Sequence, residues 1–300
     1  MTVDVLSTVI CGQTVEFGVA LYYNQSMKYI KLAFQYMTNK HYWKLALLLL
    51  VPAVAVSLFT GFDTTAKLVA HFPERTNYSF VELFGLTSEI NWKVLIGLVV
   101  MFVVFVLIFA VMVGAMQRHL RTGRFALTNI FKRINENFLP VFYTVLSVFV
   151  LIFLYGLSID ITIVAWWAIT KNLAATYTMT VLFMIALFLL LMWLYTVFFL
   201  TCPNMVVTGQ GLLDSVSYSV RMARHNRRAL YLAIALPLSI LFVLQFALVW
   251  IPEPAYRIVH VIANVLIMMF ICCYYPVLMF VSYYDINDKD REDLLPVNRL

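Results

Sequence analysis

The run Val94–Met116, VLIGLVVMFVVFVLIFAVMVGAM, contains no charged residue. As a helix rising about 1.5 Å per residue, it is long enough to cross roughly 30 Å of hydrocarbon. Met179–Leu200, MTVLFMIALFLLLMWLYTVFFL, has the same property. Outward from these two runs, the sequence offers apolar stretches at about 42–62, 94–116, 138–159, 177–201, 229–251 and 257–283. Pro52 lies inside the first, which a spanning helix tolerates when neighbours satisfy the freed carbonyl. The short apolar run Ile161–Ile169, with Trp166 and Trp167, follows Asp160 and reads as interfacial.

The composition of the 300-residue chain agrees. Hydrophobic residues make up 63% and charged residues 12%, with a mean hydropathy of +0.89. Soluble domains hold about 45–50% apolar and about 25% charged residues, so these values exclude a disordered chain, a coiled coil and an ordinary soluble enzyme. Cys11, Cys202, Cys272 and Cys273 have no CxxC spacing, which predicts free thiols with neither a disulfide framework nor a zinc site.

With six spans, 16 of the 21 Lys and Arg residues fall on one side, in segments 1–44, 117–137, 202–228 and 284–300. The positive-inside rule puts that side, and both termini, in the cytoplasm. The net charge of +6 is then a property of the cytoplasmic face. It points to anionic lipid headgroups, not nucleic acid, because no basic soluble domain is present to hold a duplex.

The cytoplasmic connectors carry a recurring pattern. Met27, Ile30, Phe34 and Met37 fall at helical spacing, with Lys28, Lys31 and Gln35 opposite. Leu127, Ile130, Phe131, Ile134 and Phe138 repeat it, opposite Asn129, Lys132, Arg133 and Glu136, and Leu213, Val216, Val220 and Ala223 repeat it again, opposite Asp214, Ser217, Arg221 and Arg224. An Asn follows each (Asn39, Asn137, Asn226), and Gly123, Gly209 and Gly211 mark turns before the last two. The predicted fold is all-α: a polytopic helical membrane protein with six transmembrane helices in three hairpins, each preceded by an amphipathic interfacial helix. It forms a single integral membrane domain over 1–300, with hairpin units at about 24–116, 124–201 and 210–284 and a short cytoplasmic tail, 285–300.

Cys202–Pro203–Asn204 through Gly211, Ser215, Ser219 and Arg221–Asn226, followed by an apolar span, resembles a pattern of bacterial multi-span membrane proteins. These are the membrane domain attached to some glycerophosphodiester phosphodiesterases, and related uncharacterised families. The ending Tyr283–Tyr284–Asp285 is similar to theirs. The resemblance covers about residues 200–290. It implies a helical membrane domain in a bacterial plasma membrane and no catalysis, since the hydrolase of such proteins is a separate soluble domain.

Motifs for dinucleotide, phosphate-loop, zinc-protease and nucleophile-elbow chemistry are missing from the sequence, and its five histidines are scattered. The expectation is a non-enzymatic protein with no cofactor and no metal. Two candidate sites stand out. Gln245, His260 and Asn264 form a polar set in the last hairpin, where interhelical hydrogen bonding or a polar pocket are the alternatives. Arg118, Arg121, Arg124, Lys132, Arg133, Arg221, Arg224, Arg227 and Arg228 form a belt for anionic lipid or a membrane or cytoplasmic protein partner. The function expected is organisation of lipid or a partner at the cytoplasmic face. The alternative is a small-solute or lipid transporter, for which Pro52 and Pro237 would be mid-membrane breaks, although neither has an adjacent Gly.

Overall fold

A computed structural model describes residues 26–38, 42–59, 92–123, 129–248 and 255–289. The described residues are helical apart from short turns. The helices are α1 (residues 26–37), α2 (Tyr42–Phe59), α3 (Trp92–Thr122), α4 (Ile130–Thr170), α5 (Leu173–Phe198), α6 (Thr201–Thr208), α7 (Leu212–Leu248) and α8 (Ala255–Ile286). Helices α2, α3, α4, α5, α7 and α8 each pack on their chain neighbours in that series, and α8 closes onto α2. The loops 60–91 and 249–254, and the candidate Asn77–Tyr78–Ser79 within the first, lie outside the described residues.

Among the described residues five helical stretches are long and apolar enough to cross a membrane: Val99–Thr122, Ile130–Thr170, Ala174–Thr208, Leu212–Leu244 and Val261–Ile286. α2 occupies the first expected span but is not among them. The outer surface of these helices is apolar; Ile152, Leu182, Val243 and Leu266 are all more than half exposed. Such a surface requires lipid around it.

The long helices run further than the apolar runs suggested. α4 has 41 residues and α7 has 37, about 60 and 55 Å. The amphipathic stretches expected at 125–136, of which the structure describes 129–136, and at 212–225 are therefore not separate interfacial helices. Each is the first turns of an uninterrupted helix that continues into its span. The Asn expected to mark a turn does not end either helix: Asn137 Nδ2 donates to the Arg133 carbonyl at 2.9 Å, a bond within one helical turn. Gly123 and Gly209 do mark stops, at φ 65 and 72. Residues 161–169 are likewise not a separate segment, since α4 runs through them to Thr170. There Lys171 takes a left-handed conformation, and Asn172 Oδ1 accepts from the Ala174 and Ala175 amides to start α5.

The apolar stripes of the connector segments, expected to face lipid or the ends of the spans, are largely exposed. α1 buries Ser26, Tyr29, Ala33 and Tyr36, while Met27 and Phe34 are exposed. α4 buries Arg133, Asn137 and Val141, while Phe131 and Phe138 are exposed. α7 buries Ser215, Ser219 and Ala223, while Leu213 and Val220 are exposed. In α1 and α4 the inward stripe lies one position N-terminal to the apolar stripe, about 100° around the helix, and in α7 Ser215 and Ser219 do the same beside Val216 and Val220, while Ala223 belongs to both stripes. With lipid as solvent an apolar side chain gains nothing by turning inward. Polar groups turn in to find partners, and small ones let backbones approach. Gly114 of α3 shows how close that approach is: a Cβ there would meet Asn137 Nδ2 at 2.8 Å and Arg133 Cβ at 3.3 Å.

One helix segment is enclosed on every side. All residues from Cys272 to Tyr284 of α8 are buried, as an all-round apolar sequence demands. α2, α3, α6 and α7 pack around α8, and Phe34 of α1 lies against Phe270 and Tyr274. The enclosed tyrosines repair a break in α7. Pro237 has no amide to give the Ala233 carbonyl, and its ring strains the next one. Tyr274 donates to the Ala233 oxygen at 3.0 Å, and Tyr275 to that of Ile234 at 2.8 Å. Pro276 likewise has no amide to give the Cys272 carbonyl of α8, and Tyr42 donates to the neighbouring Cys273 carbonyl at 2.8 Å.

Tyr274→Phe should cost about 1–3 kcal/mol of stability, the penalty of an unsatisfied buried acceptor. Most of that cost should vanish in a Pro237→Ala background, where residue 237 regains an amide. Unfolding titrations of the four proteins in detergent measure the coupling; an equal cost in both backgrounds would contradict the repair.

Candidate functional site

The motif residues quoted for the resemblance converge where α6, α7 and α8 meet. α5 ends at Phe198, and the chain turns through Phe199–Leu200 into α6. Pro203 fits this turn because it stands in the first turn of α6, where an amide has no helical partner. Ser219 of α7 bridges the break: its Oγ donates to the Val197 carbonyl at 2.8 Å and accepts from the Leu200 amide at 3.2 Å.

Asn204 is fully buried at the centre. Its Oδ1 accepts from the Tyr283 hydroxyl at 3.1 Å, and its Nδ2 donates to Gln210 Oε1 at 3.0 Å. Asn287 Oδ1 accepts from Tyr218 at 2.8 Å, and Lys289 Nζ lies 3.5 Å from the Tyr283 hydroxyl. Lys28 of α1 pairs with Asp285 at 2.8 Å. Burial pushes the neighbouring Tyr29 phenol up to about 12, with the Asp285 charge adding to the shift. The hydrogen bonds tie three helices and one turn together. Gln210, Tyr218 and Asn287 were not singled out in sequence; only their closeness in space makes them partners.

The nine candidate cations meet different fates. Arg118, Arg121, Arg221, Arg224 and Arg228 are exposed. Lys132 is exposed and pairs with Glu136 at 3.8 Å. Arg133 is buried against Gly114, inside the α3–α4 contact. Arg227 is half-buried, its guanidinium 3.5 Å from the centroid of the Trp193 ring. Arg124 lies outside the described residues. Of the polar set in the last hairpin, Asn264 is buried, while the side chains of Gln245 and His260 lie outside the described residues.

Asp160 was assigned to an outer loop in sequence. It instead sits within α4, 2% exposed, between Ile159 and Ile163, which cluster with Met184 of α5. Thr176 and Thr180 of α5 are buried in the same stretch of the α4–α5 hairpin. The break that ends the helix holding Asp160 is Lys171–Asn172, where Lys171 stops α4 and Asn172 caps α5. Cys202, Cys272 and Cys273 are free and buried. Among the described residues no group of three or more metal-ligating side chains occurs.

Helices of this length and outward apolarity define a polytopic helical membrane protein. No protein-family model, curated protein or solved structure matches the chain.

Asn204→Ala should destabilise the protein by about 2 kcal/mol, because it leaves the buried Tyr283 hydroxyl without its acceptor. In a Tyr283→Phe background the same substitution should cost less. Thermal unfolding of single and double variants measures the difference, and strict additivity would dismiss the network.

Proposed function

We propose that the chain is a six-span, non-enzymatic membrane protein with both termini cytoplasmic, which organises anionic lipid or a protein partner at the cytoplasmic face. The carrying observation is the outward face of the connector segments. There, exposed apolar residues such as Phe131, Leu213 and Val220 stand on the same helices as exposed Lys132, Arg221, Arg224 and Arg228. Apolar stripes flanked by cations suit the boundary between acyl chains and anionic headgroups. The resemblance over residues 200–290 supports the same assignment to a bacterial plasma membrane.

The test replaces Arg221, Arg224 and Arg228 with Gln together. Lysine-to-cysteine and serine-to-cysteine reporters at Lys171 and Ser217 report orientation through an impermeant maleimide. The reporter at 171 should react in intact cells and that at 217 only after lysis, with or without the substitutions. Co-purified anionic lipid should fall severalfold, at about 1 kcal/mol per cation. Unchanged lipid and partner retention, or reversed labelling, would refute the reading.

A second reading, a small-solute or lipid transporter, is favoured by Asp160. An ionisable group buried within a candidate span commonly marks a transport path. On this reading Asp160→Asn abolishes a pH-gradient-driven flux in proteoliposomes while leaving the protein folded. A flux equal to wild type would remove Asp160 from any such path.

A further inference from the structure

We propose that the α5–α7 surface at Trp193 and Arg227 is a specific site for the phosphate of an anionic phospholipid. This rests on the proposed membrane-face reading and narrows it from a diffuse belt to one position.

Trp193 is 45% exposed, five residues before the end of α5. Arg227 of α7 lays its guanidinium on that indole. Arg227 Nε is buried and has no hydrogen-bond partner among the described residues. No ion pair to Arg221, Arg224 or Arg227 occurs among the described residues either. A stacked guanidinium keeps its edge free, and that planar edge matches phosphate with two parallel hydrogen bonds.

The surroundings mark the depth of the site. On one side of the Trp193–Arg227 pair the exposed surface is apolar, with Leu190 on α5 and Leu236 and Ile240 on α7. On the other side exposed Arg221 and Arg224 join the apolar Leu194, Phe198 and Val220. Trp193 thus stands where cations enter an apolar surface, the headgroup level at which tryptophan collects. A ligand with a phosphate beside a pair of acyl chains meets both surfaces at once. A soluble phosphate would meet only the cations, and an acidic protein segment would leave the apolar surface uncovered. Arg221 and Arg224 supply long-range attraction, whereas Arg227, held by stacking, supplies the directed contact.

The full chain, reconstituted in phosphatidylcholine nanodiscs, is titrated with brominated phosphatidylglycerol, and the Trp193-dependent emission is obtained by difference against Trp193→Phe. Brominated phosphatidylcholine is the reference. The anionic lipid should quench at about fivefold lower mole fraction than the zwitterionic one, the effect of about one cation near the surface. Arg227→Gln should bring that ratio to about one. Arg227→Lys, which keeps the charge but loses the planar fork, should fall between and guards against a folding defect. Arg221→Gln/Arg224→Gln should lower the ratio only partly and make it less sensitive to salt.

If Arg227→Gln keeps the full preference while Arg221→Gln/Arg224→Gln removes it, the diffuse belt stands and the site falls. If no variant changes a preference that total lipid retention also lacks, both readings fall. Displacement of the quenching lipid by millimolar glycerol phosphate would assign a soluble phosphate ligand, and displacement by an acidic peptide a protein partner. Either would overturn the lipid site.

Discussion

Pro237 leaves the Ala233 carbonyl of α7 without its helical donor, and Tyr274 of α8 supplies one. In hydrocarbon no water can take that place, so the kinked helix and the enclosed helix need each other. Tyr275 and Tyr42 extend the same exchange to Ile234 and Cys273. The burial of Cys272–Tyr284 follows, because helices that donate into or accept from α8 must surround it. The first described helix joins in: α1 closes over this segment through Lys28–Asp285 and the Phe34–Tyr274 contact.

The same solvent logic explains why α1, α4 and α7 turn their small and polar stripes inward. Lipid accepts Phe131 and Leu213 as readily as a protein core does, while Asn137, Ser215 and Ser219 need hydrogen-bond partners or close packing. The three segments share this offset, which makes the recurring pattern in the sequence a recurring packing solution. The cations Arg221 and Arg224 remain exposed after this sorting, on the outward face of α7. Those drawn inward, Arg133 and Arg227, serve defined contacts. The nine-residue belt is therefore not uniform. Arg133 belongs to the α3–α4 interface, and Arg227 is oriented by an aromatic ring.

By itself the sequence determined the class and the solvent. Uncharged runs such as Val94–Met116 and Met179–Leu200 can satisfy their backbones in lipid only as helices, and their helical extent is visible from length and charge alone. The stops at Gly123 and Gly209 were also legible, because a left-handed residue ends a helix locally. Tertiary structure decided which face of each helix turns inward. Periodicity identifies an apolar stripe but not its partner, and in a membrane both sides of that stripe are apolar. It also decided that Asn137 and Asn226 lie within helices, that Asp160 is interior, and that Asn204, Gln210, Tyr218, Tyr283 and Asn287 form one network. Each depends on a partner up to 79 residues away along the chain or on a helix running past an expected end, and such long-range pairings leave no local trace in the order of residues.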